Sequence, residues 1–155
     1  MKQAVLDKVN DFSERMLLHY AAPNKGLVVE IMQLDAANLN QLHYDQLSKY
    51  ILVLGQYLVM LQHNENLKCI EYLLISKAFE HRLNKEKFSR DDVLGKTEKE
   101  RRAWLLINVS GMQELQQEVM VAEAEKMVIS GMGKASEGLL NALKKELSGR
   151  LSHVE

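Results

Sequence analysis

The sequence predicts an all-α protein, on three observations. Its 155 residues hold only 8 Gly and 1 Pro, too few breakers and tight turns for a sandwich or barrel. Apolar residues recur at three- and four-residue steps through much of the chain. The stretch from Thr97 to about Ser152 contains no proline and opens on a helix-start signature. The expected architecture is a helical hairpin and an N-terminal helix packed on a long C-terminal helix, oligomerising through helices, as a single domain over 1–155.

The N-terminal helices occupy 1–40. Val5, Val9, Phe12, Met16 and Tyr20 give a first helix over 3–21, ended by Pro23-Asn24-Lys25-Gly26. A short apolar helix follows from Leu27 to about Ala37, and Asn38 to Asn40 read as a second break.

The helical hairpin is expected over 41–84. Tyr44, Leu47, Ile51, Leu54, Leu58 and Leu61 are spaced 3, 4, 3, 4, 3, a heptad seam. Beside it runs a second stripe of Tyr50, Val53, Tyr57 and Met60, so this helix is expected to be buried on more than one side. Gly55 within it costs about 1 kcal/mol against Ala, which a close backbone approach would explain. His63 to Asn66 reads as the turn, with Asn64 or Asn66 as N-cap. The returning helix, Leu67 to about Leu83, places Leu67, Ile70, Leu74 and Ala78 on one face.

Composition shifts at Glu80. From there to Arg102 the chain has eight basic and six acidic residues, and Phe88 is the sole aromatic. Residues 85–96 are the charged connector. The C-terminal helix spans 97–152, capped by the box Thr97-Glu98-Lys99-Glu100. It is either one helix of roughly 80 Å or two, broken near Gly131 and Gly133. A rod that long requires cover from the earlier helices or from another copy. Ala124, Val128, Gly131, Ala135, Gly138 and Ala142 form a stripe of mostly small residues spaced 4, 3, 4, 3, 4, the expected oligomer interface.

Composition narrows the function. The net charge of −1 excludes a global basic field, so nucleic-acid binding needs a local patch. Cys69 is the sole cysteine, which excludes an intrachain disulfide and argues for a reducing, cytoplasmic setting. Between Leu67 and Ile70 neighbours it reads as a small core residue rather than a nucleophile. The start of the chain lacks the apolar core of a signal peptide. The longest apolar run, Tyr50 to Leu61, is 12 residues and too short for a bilayer, so no membrane partner is expected. The histidines at 19, 43, 63, 81 and 153 lack metal-site spacing, and Gly131-Met132-Gly133-Lys134 lacks the strand and spacing of a phosphate loop. No metal, cofactor or enzymatic activity is expected. Met112, Met120, Met127 and Met132 read as core or oligomer interface.

The candidate chemistry is a basic cluster. Lys77, Arg82, Lys85, Lys87 and Arg90 precede the connector's end, and Lys96, Lys99, Arg101 and Arg102 follow it. If the chain doubles back there, both groups crowd one end of the helices. They would neutralise phosphates, and Phe88 would stack on an unpaired base. Interleaved carboxylates leave a net of only +2, the pattern of a solvated mixed-charge connector, unless copies line up in a ring.

Over roughly residues 40–152 the chain resembles the phage UvsY-type recombination mediators. The resemblance rests on Lys77-Ala78-Phe79-Glu80-His81-Arg82-Leu83-Asn84, on Lys96-Thr97-Glu98, and on Ser130-Gly131 with Gly138. It implies a non-enzymatic, ring-forming homo-oligomer that binds single-stranded DNA and loads a RecA-like recombinase onto strands covered by single-strand-binding protein, in the host cytoplasm. The family's contacting pair is a Lys and an Arg two residues apart. Arg82 matches the Arg, and Glu80 stands in place of the Lys. The rival expectation is a helical protein–protein interaction module without nucleic acid, either a phage structural adaptor or an inhibitor of a host defence complex.

Overall fold

The computed structural model describes Asp7, Asp11 and residues 24–152; Asp7 and Asp11 are helical, and the rest of the expected first helix over 3–21 lies outside this set, as do His19 and His153. The described residues are helical, with no strand among them. Among residues 24–152 four α-helices follow in order: α1 (Lys25–Met32), α2 (Tyr44–Ser89), α3 (Glu98–Asn108) and α4 (Met112–Leu151), with a 3-10 segment, Ala36–Gln41, between α1 and α2. The chain divides into two compact units. The middle unit contains Leu67–Lys126, and the described part of the terminal unit is 24–66 with 127–152.

In the terminal unit α2 and α4 pack together beneath α1. Leu47, Leu54 and Leu61 of the expected seam are buried, as are Tyr50, Val53 and Tyr57 of the second stripe. They meet Val28 and Ile31 of α1 and Ile129, Leu140 and Leu143 of α4 in one core. The Tyr50 hydroxyl donates to Glu30, tying α2 to α1. Asn38 to Asn40 are not a break. Asp35 caps a 3-10 segment there by accepting from the Ala37 N–H at 3.0 Å. Arg150 closes this unit by donating to three backbone carbonyls: Leu42 (2.6 Å), Leu39 (3.1 Å) and Asn40 (3.0 Å). Gly55 has open space where a Cβ would stand, so no intrachain contact requires it.

The middle unit corrects the hairpin. Residues 63–66 are helical, and α2 runs without interruption from Tyr44 to Ser89. Residues 56–89 contain neither Gly nor Pro. Asn64, expected to cap a new helix, is instead buried and donates its amide to the Met60 carbonyl one turn back, at 2.8 Å. Without a turn, the buried face of α2 in this unit passes through half-buried Lys68, Tyr72 and Ile75 to buried Phe79 and Leu83. The face expected to pack (Leu67, Ile70, Leu74 and Ala78) is exposed, and Cys69 with it. Phe79 and Leu83 join Leu105, Val109 and Met112 in the core of this unit.

The C-terminal helix breaks where no break was expected. Asn108 ends α3, Val109 is extended, and Gly111 takes φ +79 before α4 begins. Only glycine adopts that conformation without strain. The expected break near Gly131 and Gly133 does not occur, because α4 is continuous to Leu151. Buried Ile129, Ser136, Leu140 and Leu143 surround those glycines on the inward face and offset their helix penalty.

Candidate nucleic-acid interface

The two groups of cations do converge. The last turns of α2, the connector 90–97 and the first turns of α3 lie together within the middle unit. Two local devices hold them. The first is the capping box at Thr97: its hydroxyl accepts from the Glu100 N–H at 3.2 Å, and the Glu100 carboxylate accepts from the N–H groups of Thr97 (3.1 Å) and Lys96 (2.8 Å). Those amides hold the Glu100 carboxyl below the usual range. The second is Gly95, at φ +139, where a Cβ would meet the Arg101 nitrogen at 2.8 Å. Its carbonyl accepts from Arg101 Nε at 3.0 Å.

The connector is shorter than the expected 85–96. Lys85, Lys87 and Phe88 belong to the last turns of α2, and α3 starts at Glu98. Lys87, Phe88, Arg90, Val93 and Arg101 line a cleft of about 190 Å³. Phe88 is 82% exposed, the most exposed of the large apolar residues described.

Besides Phe88, the nine expected cationic contacts fall into three groups. Lys77, Lys85, Lys96 and Lys99 are exposed, and no carboxylate pairs with any of them among the described residues. Arg101 and Arg82 are held by backbone carbonyls. The Arg82 Nη2 donates to Ser110 at 2.9 Å and its guanidinium covers Gly111, so Arg82 fastens the α3–α4 turn. Lys87, Arg90 and Arg102 each carry a carboxylate: Glu98 at 2.6 Å, Glu86 at 2.8 Å and Glu80 at 3.0 Å. Arg102 also lies 5.3 Å over the Phe79 ring. Sequence reasoning missed Val93 in the cleft wall and the three carboxylates as specific partners. The i,i+4 spacing of Glu86 and Arg90 carried that signal; Glu80 and Glu98 meet their cations across helices.

The small-residue stripe divides. Val128 and Ala142 pack against the core of the terminal unit. Ala124 is half-buried in the middle unit, and Gly131, Ala135 and Gly138 are exposed. Other exposed features are the α2 face of Leu67, Ile70, Leu73 and Leu74 and, in the terminal unit, an apolar groove of about 380 Å³ beside Leu52, Gly55 and Val59. Among the described residues no three His, Cys, Asp or Glu side chains are grouped for a metal ion. No helix among them is long and apolar enough to cross a membrane. No protein-family model, curated protein or solved structure matches this chain.

Proposed function

We propose that this chain is a non-enzymatic single-stranded-DNA-binding recombination mediator that works as a homo-oligomer and helps load a RecA-like recombinase onto strands held by single-strand-binding protein. One observation carries the reading. An aromatic ring, Phe88, stands almost fully in solvent in a cleft whose other walls include Lys87, Arg90 and Arg101. Lys77, Lys85, Lys96 and Lys99 are exposed and form no ion pair with a described carboxylate. Cations that track a backbone, with an aromatic platform for the bases, are what a sequence-tolerant single-strand binder needs. Several copies would raise the affinity of such a modest patch through avidity.

The salt dependence of binding to a labelled oligonucleotide of about 30 thymidines tests this. If about five phosphates are contacted, log K falls against log salt with a slope of about −3.5. A flat response rejects the reading.

A second reading has its own observation. Leu67, Ile70, Leu73 and Leu74 leave an apolar strip on α2 exposed, which favours a helical protein–protein interaction module. Failure to bind the oligonucleotide at any salt would leave that reading.

A further inference from the structure

A carboxylate, Glu98, pairs with one of the cations that line the cleft. Glu98 is the first residue of α3, and its Oε2 lies 2.6 Å from Lys87 Nζ. Lys87, with smaller contributions from Arg101 and Arg102, holds the Glu98 carboxyl below the usual range. Cations from the last turn of α2 and the first turns of α3 therefore act on one anion. Of the amides around the start of α3, those of Lys96 and Thr97 donate to the Glu100 carboxylate and that of Glu100 donates to the Thr97 hydroxyl. The Glu98 side chain is 64% exposed, so its ion pair is screened and its departure costs little. Phe88 follows Lys87 directly and lines the same cleft as Arg101. The Nε of Arg101 is committed to the Gly95 carbonyl, while its two terminal nitrogens make no hydrogen bond to another described residue.

We propose that this cleft is a single-nucleotide subsite with a built-in competitor: an unpaired base stacks on Phe88, and its phosphate displaces the Glu98 carboxylate from Lys87, within the field of Arg101. The inference rests on the reading of the chain as a single-strand binder and adds a restraint to it. Glu98 acts as an intramolecular phosphate mimic that keeps the subsite weak for any lone anion. A polynucleotide overcomes it because neighbouring phosphates bind Lys85, Lys96 and Lys99 at the same time. Arg90 is restrained in a similar way by Glu86 at 2.8 Å, with Asp92 nearby, but its partner lies only four residues before it, in the last turn of α2, and does not reach across from α3.

Fluorescence anisotropy with a labelled oligonucleotide of about 30 thymidines tests the exchange on the full chain. Three variants are compared with the native protein. Glu98→Gln removes the competitor. Glu98→Asp keeps the charge at the helix start but shortens its reach. Glu123→Gln removes the same charge from an exposed position on α4. Glu98→Gln is expected to bind at least about threefold more tightly than native, Glu98→Asp to fall between, and Glu123→Gln to stay close to native. Replacing the thymidines by abasic sites should weaken the native protein more than Phe88→Ala. If the native protein binds and Arg101→Glu weakens it, but Glu98→Gln and Glu98→Asp match Glu123→Gln, the competitor is refuted and the single-strand reading survives. Absence of binding by the native protein and by Glu98→Gln alike overturns both.

Discussion

Glu80 accepts a hydrogen bond from Arg102 at 3.0 Å, joining the end of α2 to the first turns of α3. Glu80 therefore has a structural partner on the neighbouring helix. Both side chains are more than two-fifths exposed, so the pair itself contributes about 0–1 kcal/mol. Arg102 also covers the buried Phe79 ring. Arg102→Ala is expected to destabilise the middle unit by about 1 kcal/mol, and Glu80→Ala by less. Urea denaturation of the two variants measures the difference.

Two kinds of glycine should respond in opposite directions. Gly111→Ala forces a side chain onto φ +79 and should cost about 1–2 kcal/mol, although its Cβ would stand in ordinary contact with Arg82 at 3.5 Å. Gly131→Ala and Gly138→Ala meet nothing within 4 Å and should stabilise α4 by up to about 1 kcal/mol each. Thermal melts of the three single variants decide it, and light scattering on the last two reports whether an added methyl alters self-association.

Arg150→Ala removes three hydrogen bonds to backbone carbonyls of 39–42 and the ion pair with Glu146. Because the donor is charged and half-buried, a loss of about 2 kcal/mol is expected. Hydrogen exchange should speed up in the 3-10 segment and leave α3 unchanged.

The start of α3 should be sensitive to acid. The folded Glu100 carboxyl titrates below its ordinary value, because the N–H groups of Thr97 and Lys96 bind its charged form. Its stabilisation is therefore complete above that ordinary value and is lost as pH falls through the lower, folded one. Amide exchange at 98–102 should rise across that acidic window, and Glu100→Gln should flatten the dependence.

What the sequence revealed follows from how local each signal was. The capping box at Thr97 and Glu100 needs only four residues, and it formed as written. The seam from Leu47 to Leu61 repeats often enough to fix a buried face. The false turn at 63–66 arose because Asn reads as a cap or a loop, while Asn64 satisfies itself inside a helix. The true break at Gly111 was hidden by apolar periodicity on both sides of it. Its cause is distant in sequence, since Arg82 from α2 holds the Ser110 carbonyl. Two glycines at 131 and 133 looked like the stronger break, but the buried row of Ile129, Ser136, Leu140 and Leu143 outweighs them. In the candidate site, the cationic residues and Phe88 were legible as residue types, whereas the pairing of Lys87 with Glu98 depends on the helices meeting.

Ultraviolet crosslinking of an iodouracil-substituted single-stranded oligonucleotide, mapped by peptide mass spectrometry, is the most direct test of the central claim. A base stacked in the connector cleft should crosslink to Phe88, and the yield should fall as salt rises. Crosslinks confined to other aromatic residues, such as Tyr72 or Trp104, or an oligonucleotide that leaves the protein unlabelled at low salt, would contradict a strand seated at that cleft.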